Sequence, residues 1–308
     1  MIVCVTPNPA LDRMMTIPGF QAGRVFRPTA QVTAAGGKGV NVARALHTLG
    51  GEGVCAGFLG GQTGQRLAEL ITQEGLRGAW TEITGETRTC SIIADPEGEA
   101  TVINEHGPIV TADDWARLKT DILQAAAGAA VICFSGSLPP GSPVGAFADL
   151  LQRLRADGRE VWVDSSGEPL AAAVKISGVH IKVNADEAGA VLRRPVTDFV
   201  TAVAAAEEIG NRVGGSVALT LGKQGAVFVH KGHCWLAYPP TIKAVSNVGS
   251  GDSFLAGLVQ ALQTKCAPDV ALRRAVAAGT ANALSLGGGA FTQKEYKQIL
   301  KATTVQSF

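Results

Sequence analysis

Short apolar runs rich in valine and isoleucine alternate along the chain with segments of helical hydrophobic spacing. An unbroken apolar run suits a strand that is covered on both faces, and these runs therefore predict strands of a parallel sheet. Between them, the spacing of Val42, Leu46 and Leu49 is typical of the predicted helices. The alternation predicts an α/β fold with a doubly wound, mainly parallel sheet, flanked by helices and joined by right-handed crossovers. The predicted strands lie at 2–5, 54–59, 131–134, 161–163, 181–183 and 217–221.

Two segments break this alternation. Residues 16–33 show no helical period, whereas residues 81–103 alternate as two strands that face each other across a turn at 95–98. They predict a small β-sheet appended to a single domain that spans 1–308. The pattern leaves open whether this sheet covers the edge of an active site as a lid or is a hairpin without a function. The small sheet would draw on about 12–34 and 81–104.

The charge balance excludes several classes of function. The chain of 308 residues carries 27 basic and 26 acidic side chains, a net charge of +1, and 46% of its residues are hydrophobic. This composition is typical of a soluble, well-packed globular protein and not of a disordered one. Without a basic run, the chain lacks the electrostatic footprint for nucleic acid or an anionic membrane surface. Small anionic ligands stay possible because a few local cations suffice to bind them.

The sequence shows no segment that would direct the chain into or across a membrane. The longest apolar stretch, 125–134, is far shorter than the roughly 20 residues of a membrane span. The first residues, 1–7, lack the charged start and long apolar core of a signal peptide, and we therefore expect a cytoplasmic protein. Six cysteines stand singly without a C-x-x-C pair, which favours buried free thiols over disulfides or zinc ligands.

Glycine is the compositional outlier, and its 38 residues cluster at the edges of periodic segments. The sharpest cluster lies in the stretch 247–257, which runs directly into a helical pattern. Gly249 and Gly251 allow a tight turn, after which the first amides of the helix would bind an anion. Asp252 lies among those amides, where the helix dipole favours its ionised form, and could accept a proton from a hydroxyl group. The alternative is an ordinary aspartate near a helix start, and spacing alone does not decide between the two.

A second glycine loop, 34–46, opens a helix near the start of the chain. Gly36 and Gly37 would let a polyol or phosphate lie against the backbone, with Lys38 and Asn41 as hydrogen-bonding partners. Because neither Ser nor Thr follows Lys38, the loop is not a Walker A motif. Glycine loops also arise from simple helix packing, and as a bare pattern this one is weak.

These two loops resemble the two signatures of the phosphofructokinase B group of ribokinase-like carbohydrate kinases. Residues 35–44 are similar to the N-terminal signature and residues 248–257 to the C-terminal one, and the resemblance covers essentially the whole chain. It implies a ribokinase-like fold, ATP as co-substrate and Mg²⁺ as cofactor. Further stretches resemble the branch that phosphorylates ketohexose phosphates, namely 6–12, 85–89, 135–140 and 164–167.

The resemblance also implies roles for single residues. Asp252 matches the catalytic base, with an anion hole made of Gly249, Ser250 and Gly251. For the sugar hydroxyls the matching residues are Asp12, Gly37, Lys38 and Asn41, and for the substrate phosphate they are Arg88 and Ser137. The nucleotide side is matched by Lys182, Asn184, Thr220, Gly222, Gly225 and Asn282, and the magnesium site by Glu187 acting through water. From the residues alone, Asn184 and Glu187 equally predict a capping box at a helix start.

Basic side chains concentrate in or beside the two segments that break the α/β pattern. They are Arg24, Arg27, Lys38 and Arg88, in a chain with only 17% charged residues. A phosphorylated substrate would account for this concentration, and Arg27 therefore joins the candidate substrate ligands. Ser246 stands where relatives that bind a monovalent cation carry an aspartate, and a potassium requirement is not expected.

The resulting hypothesis is a kinase that transfers the γ-phosphoryl group of Mg-ATP to a hydroxymethyl group of a ketohexose monophosphate, giving a 1,6-bisphosphate. The sequence does not separate fructose 6-phosphate, fructose 1-phosphate and tagatose 6-phosphate. A homodimer paired through the small sheet is expected. The alternatives are a ribokinase-like kinase of an unphosphorylated sugar or nucleoside and a non-catalytic sugar-phosphate sensor. A Rossmann dehydrogenase would need G-x-G-x-x-G after the first strand, where this chain has Thr6-Pro-Asn-Pro-Ala.

Overall fold

The computed structural model describes residues 1–95 and 100–308. Its strands are β1 Ile2–Thr6, β2 Ala10–Thr16, β3 Ala30–Gly36, β4 Gly53–Gly60, β5 Arg77–Ile83, β6 Arg88–Ala94, β7 Thr101–Asn104, β8 Val131–Ser135, β9 Glu160–Asp164, β10 His180–Asn184, β11 Val217–Thr220, β12 Ala226–His230, β13 His233–Tyr238 and β14 Thr304–Ser307. Its helices are α1 Lys38–Thr48, α2 Gly61–Gln73, α3 Ala112–Ala126, α4 Val144–Ala156, α5 Gly167–Ala173, α6 Ala185–Leu192, α7 Phe199–Val213, α8 Ser250–Gln263, α9 Pro268–Asn282 and α10 Gln293–Ala302.

The main sheet has the strand order β14-β13-β12-β11-β10-β9-β8-β1-β4-β5. Each predicted apolar run forms one of its strands, and the pairs from β5 through β11 are parallel. The predicted α/β fold with a mainly parallel sheet is therefore confirmed. The antiparallel addition of β12, β13 and β14 was not predicted, because the hairpin β12–β13 has no crossover helix to mark its strands.

Helices cover both faces of this sheet, and the core consists of two layers. Val3 and Val5 of β1 belong to one buried cluster, whereas Ile2 and Cys4 belong to the other, as the alternation of side chains along a strand requires. Because both faces are buried, the strands read as unbroken apolar runs in the sequence. None of the helices in the described part of the chain has the length and apolar character that a membrane span needs.

A second, four-stranded sheet has the order β3-β2-β6-β7. Its strands β2 and β3 lie between β1 and α1, and β6 and β7 lie between β5 and α3. The predicted small sheet is thus present, but Thr81 to Ile83 belong to β5 of the main sheet. The prediction is wrong for these residues because β5 is an edge strand, and its half-buried alternation resembles that of a surface strand. In the turn predicted at 95–98, only Asp95 lies within the described residues.

Candidate active site

Polar side chains gather at the carboxyl edge of the main sheet. The neighbouring parallel strands β1, β8, β9 and β10 all end there, and Asp164 and Asn184 are the last residues of β9 and β10. In open α/β sheets, ligands bind at this edge. The second sheet is attached at the same place, since β2 follows the end of β1 after three residues and Gly37 alone separates β3 from α1.

The second glycine-rich signature forms the start of α8. Gly249 is its N-cap residue, with φ 78°, in the left-handed region that favours glycine. A Cβ on Gly249 would lie 2.3 Å from the Cα atom of Gly288, and only glycine fits between the two loops. The residues of the first turn are Ser250, Gly251 and Asp252. The amides of a first turn have no partner inside the helix and attract anions.

Asp252 is a buried carboxylate within this turn. Only 4% of its surface is exposed, and its Oδ2 atom accepts a hydrogen bond of 2.8 Å from the amide nitrogen of Asn41. Burial, and then the charge of Asp164, raise its pKa to about 6, against the opposing effect of Lys38 and Lys182. The expectation that the helix dipole favours the ionised form is therefore outweighed by burial. A carboxyl with this pKa is still mainly ionised at neutral pH and is suited to accept a proton.

Asp164 joins two lysines beneath the start of α8. This fully buried carboxylate accepts hydrogen bonds of 2.9 Å from Lys38 Nζ and 3.0 Å from Lys182 Nζ. Burial raises its pKa, but the charges of Lys182 and Lys38 more than offset this and leave the pKa of Asp164 below its ordinary value. A Cβ on Gly251 would lie 2.6 Å from Lys182 Nζ, and the ammonium group therefore adjoins the first turn of α8. The cluster presents positive charge where an anion would bind.

Asn184 and Glu187 form the capping box that the sequence also allowed. The Glu187 amide donates to Asn184 Oδ1 at 2.8 Å, and the Asn184 amide donates to Glu187 Oε2 at 2.9 Å. The other oxygen, Oε1, lies 3.6 Å from Lys38 Nζ. Glu187 therefore caps α6 and also contributes negative charge to the lysine cluster. Among the described residues, no group of three or more His, Cys, Asp or Glu side chains could hold a metal ion.

Asp12, on β2, lies close enough to Asp252 of α8 to be affected by its charge. A Cβ on Gly36 would lie 2.2 Å from its carboxylate, so the Asp12 side chain can take this position only because residue 36 is glycine. Burial raises the pKa of Asp12 to about 6, while Arg44 and Arg88 lower it and Asp252 raises it. This effect of Asp252 on Asp12, together with the hydrogen bond from Asn41 to Asp252, brings the N-terminal and C-terminal signatures to one site.

Arg88, the first residue of β6, is held by neutral acceptors. It donates to the carbonyl oxygen of Asn8 from Nη2 at 3.0 Å and to that of Glu105 from Nη1 at 3.0 Å. Among the described residues it forms no ion pair, although its charge lowers the pKa of Asp12, and its guanidinium can still meet an anion. Arg27 lies exposed on the connection between β2 and β3, and among the described residues no hydrogen bond or ion pair joins it to this site, so its role stays a prediction.

The remaining predicted residues fall into two groups. Ser137 is exposed just beyond β8, and Thr220 and Gly222 lie at the end of β11, all along the carboxyl edge. Gly225 and Asn282 instead pack against or bond to other parts of the protein. A Cβ on Gly225 would lie 2.0 Å from the Ala237 carbonyl oxygen. The amide of Asn282 is fully buried and bonds Val248, Ser250, Ser253 and Gly289, which holds the loop before α8.

Two residues of the site were missed by sequence reasoning. The sequence marks Asp164 only as part of the stretch 164–167, although its place at the end of a predicted strand is a signal for it. Arg44 donates to the Asn41 side chain, one helical turn before it on α1, at 3.1 Å. The spacing of three residues on one helix was the available signal for Arg44.

The chain is similar to known proteins over most of its length. Residues 6–295 match the family described as pfkB family carbohydrate kinase. The chain is 33% identical to the 1-phosphofructokinase of Escherichia coli K12, over 90% of this chain and 88% of that protein. It is 34% identical to a tagatose-6-phosphate kinase of Staphylococcus epidermidis, over 99% of both chains. A crystal structure of phosphofructokinase-2 from Escherichia coli, in complex with substrates and products, superposes with a TM-score of 0.91 at 31% identity and covers 98% of both chains.

The family match and these relatives each span most of the chain. Together they assign the chain to a family and, with it, to an enzyme class. The enzyme is a phosphotransferase with an alcohol acceptor, and ATP is the co-substrate of such kinases. The chain belongs to the pfkB family of carbohydrate kinases.

Proposed function

We propose that this protein transfers the γ-phosphoryl group of ATP to a hydroxymethyl group of a ketohexose monophosphate, giving a 1,6-bisphosphate. The observation that carries the proposal is the buried Asp252 in the first turn of α8, beside two lysines that share Asp164. A proton acceptor and an anion site lie there within one helical turn, as phosphoryl transfer to an alcohol requires. The names of the relatives, 1-phosphofructokinase and tagatose-6-phosphate kinase, support the substrate class.

In this mechanism Asp252 accepts the proton of the attacking hydroxyl group. The hydroxyl oxygen forms the new bond to the γ-phosphorus while the bond to the bridging oxygen of ADP breaks, and ADP leaves with that electron pair. The amides at the start of α8 and the ammonium of Lys182 stabilise the charge on the transferring group. Burial around Asp252 strengthens these interactions, since electrostatic effects are larger where water is excluded.

The phosphate already on the sugar is assigned to Arg88. Neutral carbonyl oxygens fix its guanidinium and leave the charge available, which suits a second anion better than it suits a neutral sugar. Asp12 accepts hydrogen bonds from the sugar hydroxyls, and Asn41 donates one to them. Arg88 also lowers the pKa of Asp12, and a kinase of unphosphorylated sugars would need its charge for that purpose alone.

The donor set fits a magnesium ion that enters with the nucleotide. Mg²⁺ in kinases is held by one or two carboxylates, by water and by substrate phosphates, and a protein cage of three or more ligands is not needed. Glu187, 3.6 Å from Lys38, would hold the ion through water, with Asn184 beside it. Bound there, Mg²⁺ would neutralise charge on the β- and γ-phosphates.

The test is the release of ADP from Mg-ATP with a panel of sugars, each offered with and without its phosphate. The panel contains fructose 6-phosphate, fructose 1-phosphate and tagatose 6-phosphate, together with fructose, tagatose, ribose and a nucleoside. Turnover confined to ketohexose phosphates supports the proposal and identifies the substrate. Turnover with unphosphorylated acceptors alone, or none across the panel, would overturn it.

We also propose a homodimer paired through the second sheet. Residues in register across its four strands, namely Val32, Met14, Ile92 and Val102, form an apolar row on one face. The two outer members, Val32 and Val102, are 56% and 43% exposed. A matching sheet from a second chain would cover this row.

A further inference from the structure

Arg44 lies behind Asn41 on α1, away from the reacting groups, and uses every donor it has. A guanidinium group has five N–H bonds. Nε and Nη2 donate to the two carboxylate oxygens of Glu74, at 2.6 Å and 3.0 Å. Nη2 also donates to the Ala35 carbonyl at 2.6 Å, and Nη1 donates to the Gly288 carbonyl at 2.6 Å and to Asn41 Oδ1 at 3.1 Å. The guanidinium is therefore locked by partners from four separate segments of the chain.

The bond to Asn41 decides which way the Asn41 amide points. With Oδ1 facing Arg44, the Nδ2 group faces Asp252 and donates to its Oδ2 atom at 2.8 Å. A rotated amide would set its N–H bonds against the Arg44 donors and its oxygen against the Asp252 carboxylate. Both contacts would be repulsive, and Asn41 is only 6% exposed, so that water could not relieve them.

The surroundings keep Asn41 from turning by any other route. A Cβ on Gly288 would lie 2.4 Å from Asn41 Nδ2, and one on Gly289 would lie 2.5 Å from the Asn41 carbonyl oxygen. The glycine loop before α10 thus packs directly on Asn41, and Arg44 holds that loop through the Gly288 carbonyl. One side chain therefore fixes both the amide and the wall behind it.

We propose that Arg44 is a positioning residue that holds the Asn41 amide in the orientation that donates a hydrogen bond to Asp252. This inference rests on the proposed function of Asp252 as the proton acceptor. With the amide fixed, the Oδ2 lone pair that faces Asn41 is occupied, and Oδ1 is left to face the substrate hydroxyl. The other charged groups around Asp252 are Asp164, Lys38, Lys182 and Asp12.

The decisive experiment is a double-mutant cycle on kcat with the substrate found in the sugar panel. Arg44→Lys keeps the charge near Asp12 but cannot reproduce the fork of five donors. We expect kcat to fall roughly 10-fold or more, with little change in the KM for ATP, because one charge-assisted network is lost. In the Asn41→Ala background the same replacement should cost nothing further, since Arg44 acts through Asn41.

The pH profile supplies a second readout. Without the fixed amide, the ionised form of Asp252 loses a hydrogen bond, and the acid limb of the kcat profile should move up by roughly 1 pH unit. The matched control is Arg66→Lys, which changes an exposed arginine of α2 that pairs with Glu69, and should leave kcat and the limb unchanged. Thermal unfolding of each variant tests whether it is folded at the assay temperature.

Three results would overturn the inference. The first is an unchanged kcat in folded Arg44→Lys. The second is an equal cost of Arg44→Lys with and without Asn41. The third is loss of the folded state in both Arg44→Lys and Arg44→Met, which would assign Arg44 to the fold alone. The proposed function fails separately. If Asp252→Asn keeps its kcat, Asp252 is not the proton acceptor, whereas an inactive Asp252→Asn with a normal Arg44→Lys removes only the role of Arg44.

Discussion

Two carboxyl groups with raised pKa values, Asp12 and Asp252, define the site at the scale of single residues. Burial is the main cause at both positions, and a neighbouring carboxylate adds to it: Asp252 raises the pKa of Asp12, and Asp164 raises that of Asp252. Each is stabilised in its ionised form by a different cation or amide: Arg44 and Arg88 near Asp12, and the two lysines with Asn41 near Asp252. Both carboxylates therefore lose their charge on the acid side of neutrality.

This predicts a steep acid limb in the rate profile. Below about pH 6, protonated Asp252 cannot accept the hydroxyl proton and protonated Asp12 cannot accept a bond from a sugar hydroxyl. The limiting slope of the logarithm of kcat/KM should be steeper by about one than in Asp12→Asn. The substrate phosphate titrates in the same range, and therefore the comparison is made between the two enzymes with one substrate. Equal slopes would show that Asp12 does not titrate in this window.

The raised pKa of Asp252 also predicts a stability that falls with rising pH. Between its ordinary value of 3.8 and about 6, the native state binds more protons than the unfolded state, and stability decreases as pH rises through that window. Asp252→Asn should therefore raise the free energy of unfolding at pH 8 by up to about 3 kcal/mol, and by little at pH 4. Urea unfolding at both pH values measures this. A destabilised variant at pH 8 would contradict the assigned pKa.

At the scale of elements, glycines at strand and helix ends set the distances within the site. Gly36 ends β3 in register with Ala10 and lies beside the Asp12 carboxylate, at a backbone conformation that other residues also adopt. Gly249 differs, because both its positive φ and its contact with Gly288 require glycine. Substitution of Gly36 therefore tests the position of the Asp12 side chain, without backbone strain at residue 36.

Gly36→Ala is expected to displace the Asp12 carboxylate, since the new Cβ would lie 2.2 Å from it. Loss of one charge-assisted hydrogen bond should raise the KM for the sugar phosphate roughly 10-fold or more and leave the KM for ATP nearly unchanged. Gly145→Ala, in the first turn of α4 with open space around it, is the matched control. Equal KM values in both variants would show that Asp12 does not bind the sugar.

The sequence predicts those elements whose burial is uniform. Strands covered on both faces give unbroken apolar runs, and all of these runs were located correctly, whereas the edge strand β5 and the antiparallel β12–β14 give no such signal. Side-chain partners far apart in sequence escape for a different reason. Lys38 and Asp164 are 126 residues apart, and only the three-dimensional fold brings them together. Spacing on α1 could hint at Arg44, but its bond to Gly288 needs the folded chain.

At the scale of the whole molecule, the main sheet carries the chemistry and the second sheet is attached to its carboxyl edge. The short connections 7–9 and Gly37 tie β2 and β3 to β1 and α1. Asp12 and Arg88 project from this sheet, and substrate binding and the position of the sheet are therefore linked. The apolar row that crosses it includes Met14, which shares a face with Asp12 by the alternation of side chains.

A dimer formed through that row would have twice the 31.6 kDa mass of the chain. We expect this mass in multi-angle light scattering across micromolar concentrations. Val102→Asp should give the monomer mass because it places a charge in the apolar row. Thr101→Asp, on the opposite face of the same strand, is the control and should remain dimeric. A monomeric unmodified protein would remove the dimer and leave the chemistry untouched.

The central claim is that Asp252 accepts the proton of the substrate, and the kcat of Asp252→Asn at saturating ATP and sugar phosphate tests it most directly. The account predicts a loss of about 100-fold to 10,000-fold, with nucleotide affinity nearly unchanged. Asp113→Asn, which alters an exposed aspartate in the first turn of α3, should keep its kcat. A kcat of Asp252→Asn within about 10-fold of the unmodified enzyme would contradict the account, because a loss that small is below what general-base catalysis supplies.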